Sequence, residues 1–63
     1  MKKVICMEDK TEFYFDTNNG YDAMRKMLYT LNLSFFDKNA KIQLFNDRTY
    51  ALEHNGKTYA CLK

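Results

Sequence analysis

The 63-residue chain has no proline and no tryptophan, and it is poor in glycine (two), cysteine (two), arginine (two) and histidine (one). Each shortage removes a class of chemistry. Cys6 and Cys61 stand far apart with no CxxC pair, which excludes a metal knuckle and a thioredoxin-like motif; both read as small buried hydrophobes. With glycine only at Gly20 and Gly56 there is neither a GxGxxG turn nor a Walker loop to cradle phosphate. His54 cannot form an HExxH site, and no Ser/His/Asp arrangement accompanies it. Long apolar runs are missing as well. The one at the amino terminus stops after Val4, Ile5, Cys6 and Met7, too short for a signal peptide and far below the roughly 20 apolar residues of a spanning helix. The chain therefore reads as soluble and cytoplasmic, with no membrane partner.

An excess of one charge is also missing. Ten Lys+Arg stand against eight Asp+Glu, a net +2 spread along the chain, unlike the clustered basic excess of a dedicated duplex-binding protein. Lysine (eight) and asparagine (six) outnumber the residues with GC-rich codons, a balance that suits an AT-rich genome such as a low-GC bacterium, its phages or a mobile element.

What the chain does have is apolar material. Hydrophobic residues make up 46% and aromatics 16%, with five Phe and five Tyr, enough for a compact core without a metal or a disulfide. A chain this short buries only about 60% of the surface its unfolded form exposes, so residues 1–63 make one small globular domain of marginal stability. Residues 3–7 read as a strand, Glu8-Asp9-Lys10 as a turn, and residues 11–15 as a second strand in which Phe13 and Phe15 alternate with polar neighbours.

The next stretch, DTNNGYDAMRKMLYTLNL, has helical periodicity. Asn18 or Asn19 caps it, and Asp22 sits in the first turn, where the helix dipole favours negative charge. Tyr21, Met24, Met27, Leu28 and Leu31 fall in an arc about 120° wide, and Asp22, Ala23, Arg25, Lys26, Tyr29 and Thr30 lie opposite. Asn32 suits the left-handed residue of a Schellman stop, with Leu33 folding back on Leu28, so the helix is expected over about 20–31. In the LSFFD segment that follows, one phenylalanine, Phe35, is expected to seal the core, and whether Phe36 is covered stays open.

KIQLF, TYALEH and KTYACL then read as three strands. Asn55-Gly56 marks a two-residue hairpin that pairs His54 with Lys57, Leu52 with Tyr59 and Tyr50 with Cys61. The hairpin before it has two registers. A tight turn at Asn46-Asp47 sets Ile42 beside Ala51. A three-residue loop ending at Arg48 sets Ile42 beside Leu52, gathers the apolar residues on one face, and is favoured, although it asks Arg48 to adopt a left-handed backbone. The expected fold is α+β: a five-stranded, mostly antiparallel sheet in the order β-β-α-β-β-β with one amphipathic helix packed on one face.

No catalytic set emerges. A base needs an orienting group and a nucleophile within about 3 Å, and Glu53, the neighbour of His54, points to the other face of its strand. DTNNGYD alternates acidic and amide side chains around a glycine, yet counting from Asp16 the sixth and twelfth positions are Tyr21 and Met27 where a calcium loop needs Gly and Glu. The chain reads as a non-enzyme without cofactor or metal. Binding remains. One reading is a protein-binding module, an inhibitor or modulator of another protein, using Arg25, Lys26 and Tyr29 on the polar helix face together with Phe36. A second is a single-stranded nucleic-acid binder that stacks bases on Phe45, Tyr50 or Tyr59 and meets phosphates with Lys41, Arg48 and Lys57, along with Lys63. A third is a homodimer through an unpaired sheet edge at the last strand.

Overall fold

The fold is described from a computed structural model, in which residues 1–34, 37, 38 and 40–63 are described. Five strands and one helix follow in the order β1 (Lys2–Cys6), β2 (Glu12–Phe15), α1 (Gly20–Thr30), β3 (Ile42–Asn46), β4 (Thr49–His54) and β5 (Lys57–Leu62). The strands form one antiparallel sheet in the spatial order β2-β1-β5-β4-β3, with α1 packed against it. The two hairpin systems that the sequence separates meet at the β1–β5 pair, where Val4 opposes Cys61 and Cys6 opposes Tyr59. This order corrects one expectation: β5 lies in the middle of the sheet, bonded on both sides, and the open edges belong to β2 and β3.

The local signals account for the elements. Asn19 caps α1, its Oδ1 accepting the Asp22 N–H at 3.0 Å. At the other end Asn32 takes φ 61°, its N–H donates to the Tyr29 carbonyl at 3.0 Å, and the Leu33 N–H donates to the Leu28 carbonyl at 2.9 Å. That is the Schellman pair of bonds, and Leu33 packs against the core beside it. Asn55 and Gly56 take φ 53° and 76°, the left-handed pair of a type I′ turn, and lock the β4–β5 register with Leu52 opposite Tyr59.

In the β3–β4 hairpin, Ile42 opposes Leu52 and Leu44 opposes Tyr50, the register that gathers the apolar residues. It is reached by a different route from the one expected. The register shifts between Leu44 and Asn46, leaving Phe45 as a bulge, and Asn46 pairs with Thr49 around a short turn at Asp47-Arg48. Asn46 Oδ1 accepts the Arg48 N–H at 2.8 Å, and Arg48 keeps a negative φ. The bulge absorbs the extra residue, so no left-handed arginine is needed.

The core lies between α1 and one face of the sheet. Val4, Cys6, Ala23, Met24, Met27, Leu28, Ala40, Leu52, Tyr59 and Cys61 are buried, and Phe13, Phe15, Leu31, Ile42 and Tyr50 pack at its margin. Ala23, expected on the polar arc, is fully buried, whereas Tyr21 is 36% exposed. The buried arc is rotated towards Ala23 because a methyl side chain lets the helix backbone lie close on the strands. Tyr21 is displaced to the margin, where its ring meets Tyr50 edge-on at 5.6 Å. Gly20 makes a second close approach: a Cβ there would stand 2.5 Å from the Leu62 carbonyl oxygen. Phe35 and Phe36 lie outside the described residues.

Candidate interaction surface

A helix can cover one face of a sheet, and α1 is the only helix among the described residues. Alternation along a strand sends successive side chains to opposite faces. With Val4, Cys6, Leu52, Tyr59 and Cys61 turned to α1, the other face receives Ile5, Ala51, Thr58, Ala60 and Leu62. The register aligns them into a rung that crosses the whole sheet: Glu12 opposes Ile5, Ile5 opposes Ala60, Ala60 opposes Ala51, and Ala51 opposes Gln43. Its centre is apolar and low, because two of its three middle residues are alanines.

Larger side chains stand around this low centre. Phe45, on the bulge, is 74% exposed, Leu62 67%, Tyr14 60% and Met7 48%. Phe45, Met7, Thr49, Ala51, Thr58 and Ala60 share one shallow hollow of about 500 Å³. A second hollow, on the β3 side, is lined by Lys38, Lys41, Gln43, Phe45, Ala51 and Glu53. Isolated exposed hydrophobes are ordinary on a protein surface; a contiguous set across the middle of a sheet is what marks a contact site.

Several charges at the margin are paired. Lys3 lies 3.9 Å from Glu12, and the Tyr14 hydroxyl donates to Glu12 Oε1 at 2.6 Å, which pushes the Tyr14 hydroxyl above its ordinary pKa. Glu8 Oε1 accepts the Thr58 N–H at 2.6 Å, so the first turn is pinned to the start of β5. Beside it the Asp9 carboxylate accepts the Thr11 N–H at 2.9 Å and meets Lys57 Nζ at 3.4 Å. The hydrogen bonds from Thr11 are the main cause that holds Asp9 well below the usual carboxylate range, and the bond to Asp9 raises Lys57. These contacts fix the turns that border the open face.

The residues singled out from the sequence are divided by this geometry. Arg25, Lys26 and Tyr29 are together on the outer surface of α1, with Tyr29 57% exposed and Lys26 Nζ 3.9 Å from Asp22. Phe36 lies outside the described residues. The nucleic-acid set does not come together. Tyr59 is 6% exposed in the core, its ring edge-on to Phe13 at 6.2 Å, with its hydroxyl raised by burial. Tyr50 is half-buried on the same, helix-covered side. Phe45 is thus the one ring of the three on the open face, near Lys41. Arg48 and Lys57 stand at turns at opposite ends of the β4 strand. Cys6 and Cys61 are buried free thiols, and burial pushes Cys61 up. Among the described residues no group of three His, Cys, Asp or Glu side chains could hold a metal ion, and no helix is long and apolar enough to cross a membrane.

Ile5, Met7, Tyr14, Ala51, Ala60 and Leu62 were not singled out from the sequence, yet Ile5, Met7, Ala60 and Leu62 carried a signal. VICM and YACL are apolar in both phases of the strand alternation, and a strand apolar on both sides needs two covers. Among known proteins, no family model, curated sequence or solved structure matches this chain.

Proposed function

We propose that this chain is a small non-catalytic protein-binding module whose contact surface is the face of the sheet left uncovered by α1. The observation that carries the reading is the apolar rung Ile5–Ala60–Ala51 bordered by exposed Met7, Phe45 and Leu62. Aromatic and methionine side chains around a desolvated centre, with charges kept to the rim, are the composition of a protein contact. A chain without a catalytic set acts through what it covers, as an inhibitor or modulator does. A small protein of this kind suits a low-GC bacterium, a phage or a mobile element, on composition.

The nucleic-acid reading has less support. Stacking on successive bases uses neighbouring rings; Phe45 stands without Tyr50 and Tyr59 on its face, and Tyr14, also exposed there, lies on β2 at the opposite edge of the sheet. The test is affinity capture from cells that encode the protein, in high salt and with nuclease, using wild type, Phe45→Ser and Tyr29→Ala. The expected result is a protein retained by wild type and Tyr29→Ala and lost from Phe45→Ser. Tight binding of an oligonucleotide with a steep salt dependence, or capture lost only in Tyr29→Ala, overturns the proposal.

A further inference from the structure

We infer that the occupant of the open sheet face is a second copy of this chain, the two sheets stacking face to face about a two-fold axis. The inference rests on the reading of that face as a protein contact and names the partner.

Area is the first support. The molecule measures 25 × 22 × 21 Å and exposes 4440 Å², so one of its six similar sides is one sixth of that area, about 740 Å². A standard stable interface takes about 800 Å² from each partner. The contact must therefore use essentially the whole face, and an inserted peptide or loop would leave much of it wet. A flat sheet face of the same dimensions covers it, and a second copy carries one.

Charge is the second. The open side and its rim carry charges of both signs: Lys3, Lys38, Lys41, Arg48 and Lys63 stand with Glu8, Glu12, Asp47 and Glu53. A surface of one sign repels its own copy; a rim of mixed sign lets a two-fold contact set a cation of one copy against a carboxylate of the other. Shape is the third. A two-fold contact must be self-complementary, with a projection and a recess on the same patch. The exposed ring of Phe45 and the low floor of Ala51 and Ala60 supply both, so each copy can set its ring against the other's alanines. Stacked sheets lie about 10 Å apart, and small residues on the floor leave room for a ring between them. A dimer built this way keeps Arg25, Lys26 and Tyr29 on the outer surfaces of both copies.

Sedimentation equilibrium over a dilution series measures the association. Wild type is expected at twice the chain mass, and Phe45→Ser and Ala60→Arg at the chain mass or with a Kd weakened at least tenfold, each with an unchanged circular dichroism spectrum. A wild-type dilution series followed by amide NMR needs no variant: shifts concentrated at Ile5, Ala51 and Ala60 support the stack. Wild type that stays monomeric at millimolar concentration, a dimer indifferent to both variants, or dilution shifts confined to α1 or to the β2 and β3 edges overturns it. If wild type is monomeric while Phe45→Ser still abolishes capture of another protein, the dimer is wrong and the contact face stands. If neither assay responds to Phe45→Ser, both fail.

Discussion

Gly20→Ala separates what helix propensity expects from what packing allows. Glycine inside a helix costs roughly 1 kcal/mol relative to alanine, so propensity alone says the substitution stabilises. The structure says the reverse. A Cβ at position 20 would lie 2.5 Å from the Leu62 carbonyl oxygen and 2.9 Å from the Lys63 Cα, against 3.4 Å or more for ordinary contact. Both obstacles are backbone at the end of β5, the central strand, and the Lys63 N–H is bonded to the Arg48 carbonyl. The strand is held on both sides, so α1 has to move away by about 0.9 Å, the difference between 3.4 and 2.5 Å, and Met24 and Met27 move with it. Because both obstacles are backbone and cannot turn aside, the cost lies in the upper part of the range for overpacking, about 2–3 kcal/mol. After the propensity gain, the net loss is about 1–2 kcal/mol. At roughly 4–8 °C per kcal/mol for a domain of this size, Tm falls by about 5–15 °C. Urea titration followed at 222 nm, with a thermal scan, measures it. An unchanged or raised midpoint refutes the docking of the α1 start against β5. Gly56 is the control, because nothing lies within 4 Å of its Cβ position and only its φ of 76° is demanding. Gly56→Asn is expected to be nearly neutral, since asparagine accepts a left-handed backbone, whereas Gly20→Asn should destabilise at least as much as Gly20→Ala.

Other outcomes follow from the core and the turns. Leu28→Ala empties a site between α1 and the sheet where Leu28 is 1% exposed, and should cost about 2–5 kcal/mol, a large part of the stability of so small a domain; chemical denaturation gives the value, and a loss below 1 kcal/mol would mean that α1 is not seated on this core. Cys6 and Cys61 should be unreactive towards a thiol reagent in the native state and titrate as two thiols after unfolding; rapid native labelling would place them elsewhere. Asp9 has a folded pKa below its unfolded value, so its contribution is fully present above about pH 4 and is lost as the pH falls. Asp9→Asn should accordingly flatten the fall of Tm between pH 4 and pH 2, and a variant with the wild-type slope in that window removes Asp9 from the acid response.

Local order was legible in the sequence wherever a short-range interaction decides it. Asn19, Asn32 and Asn55-Gly56 each satisfy or redirect backbone groups within a few residues, so the helix ends and the last hairpin follow from spacing alone. The β3–β4 register was legible as a requirement that apolar side chains share a face. Its means, a bulge at Phe45, was not, because a loop and a bulge absorb an extra residue equally well in one dimension.

The position of β5 between β1 and β4, the burial of Ala23 and Tyr59, and the need for glycine at position 20 were decided only by the tertiary structure, since each depends on elements far apart in the chain. The open face belongs to both levels. The sequence by itself determined that β1 and β5 are apolar in both phases and that an amphipathic helix follows the first hairpin to cover one side of them. Only the folded sheet decided which residues lie on the uncovered side, because the order of the strands sets Ile5 beside Ala60 and Ala60 beside Ala51, and that adjacency turns separate apolar residues into one surface.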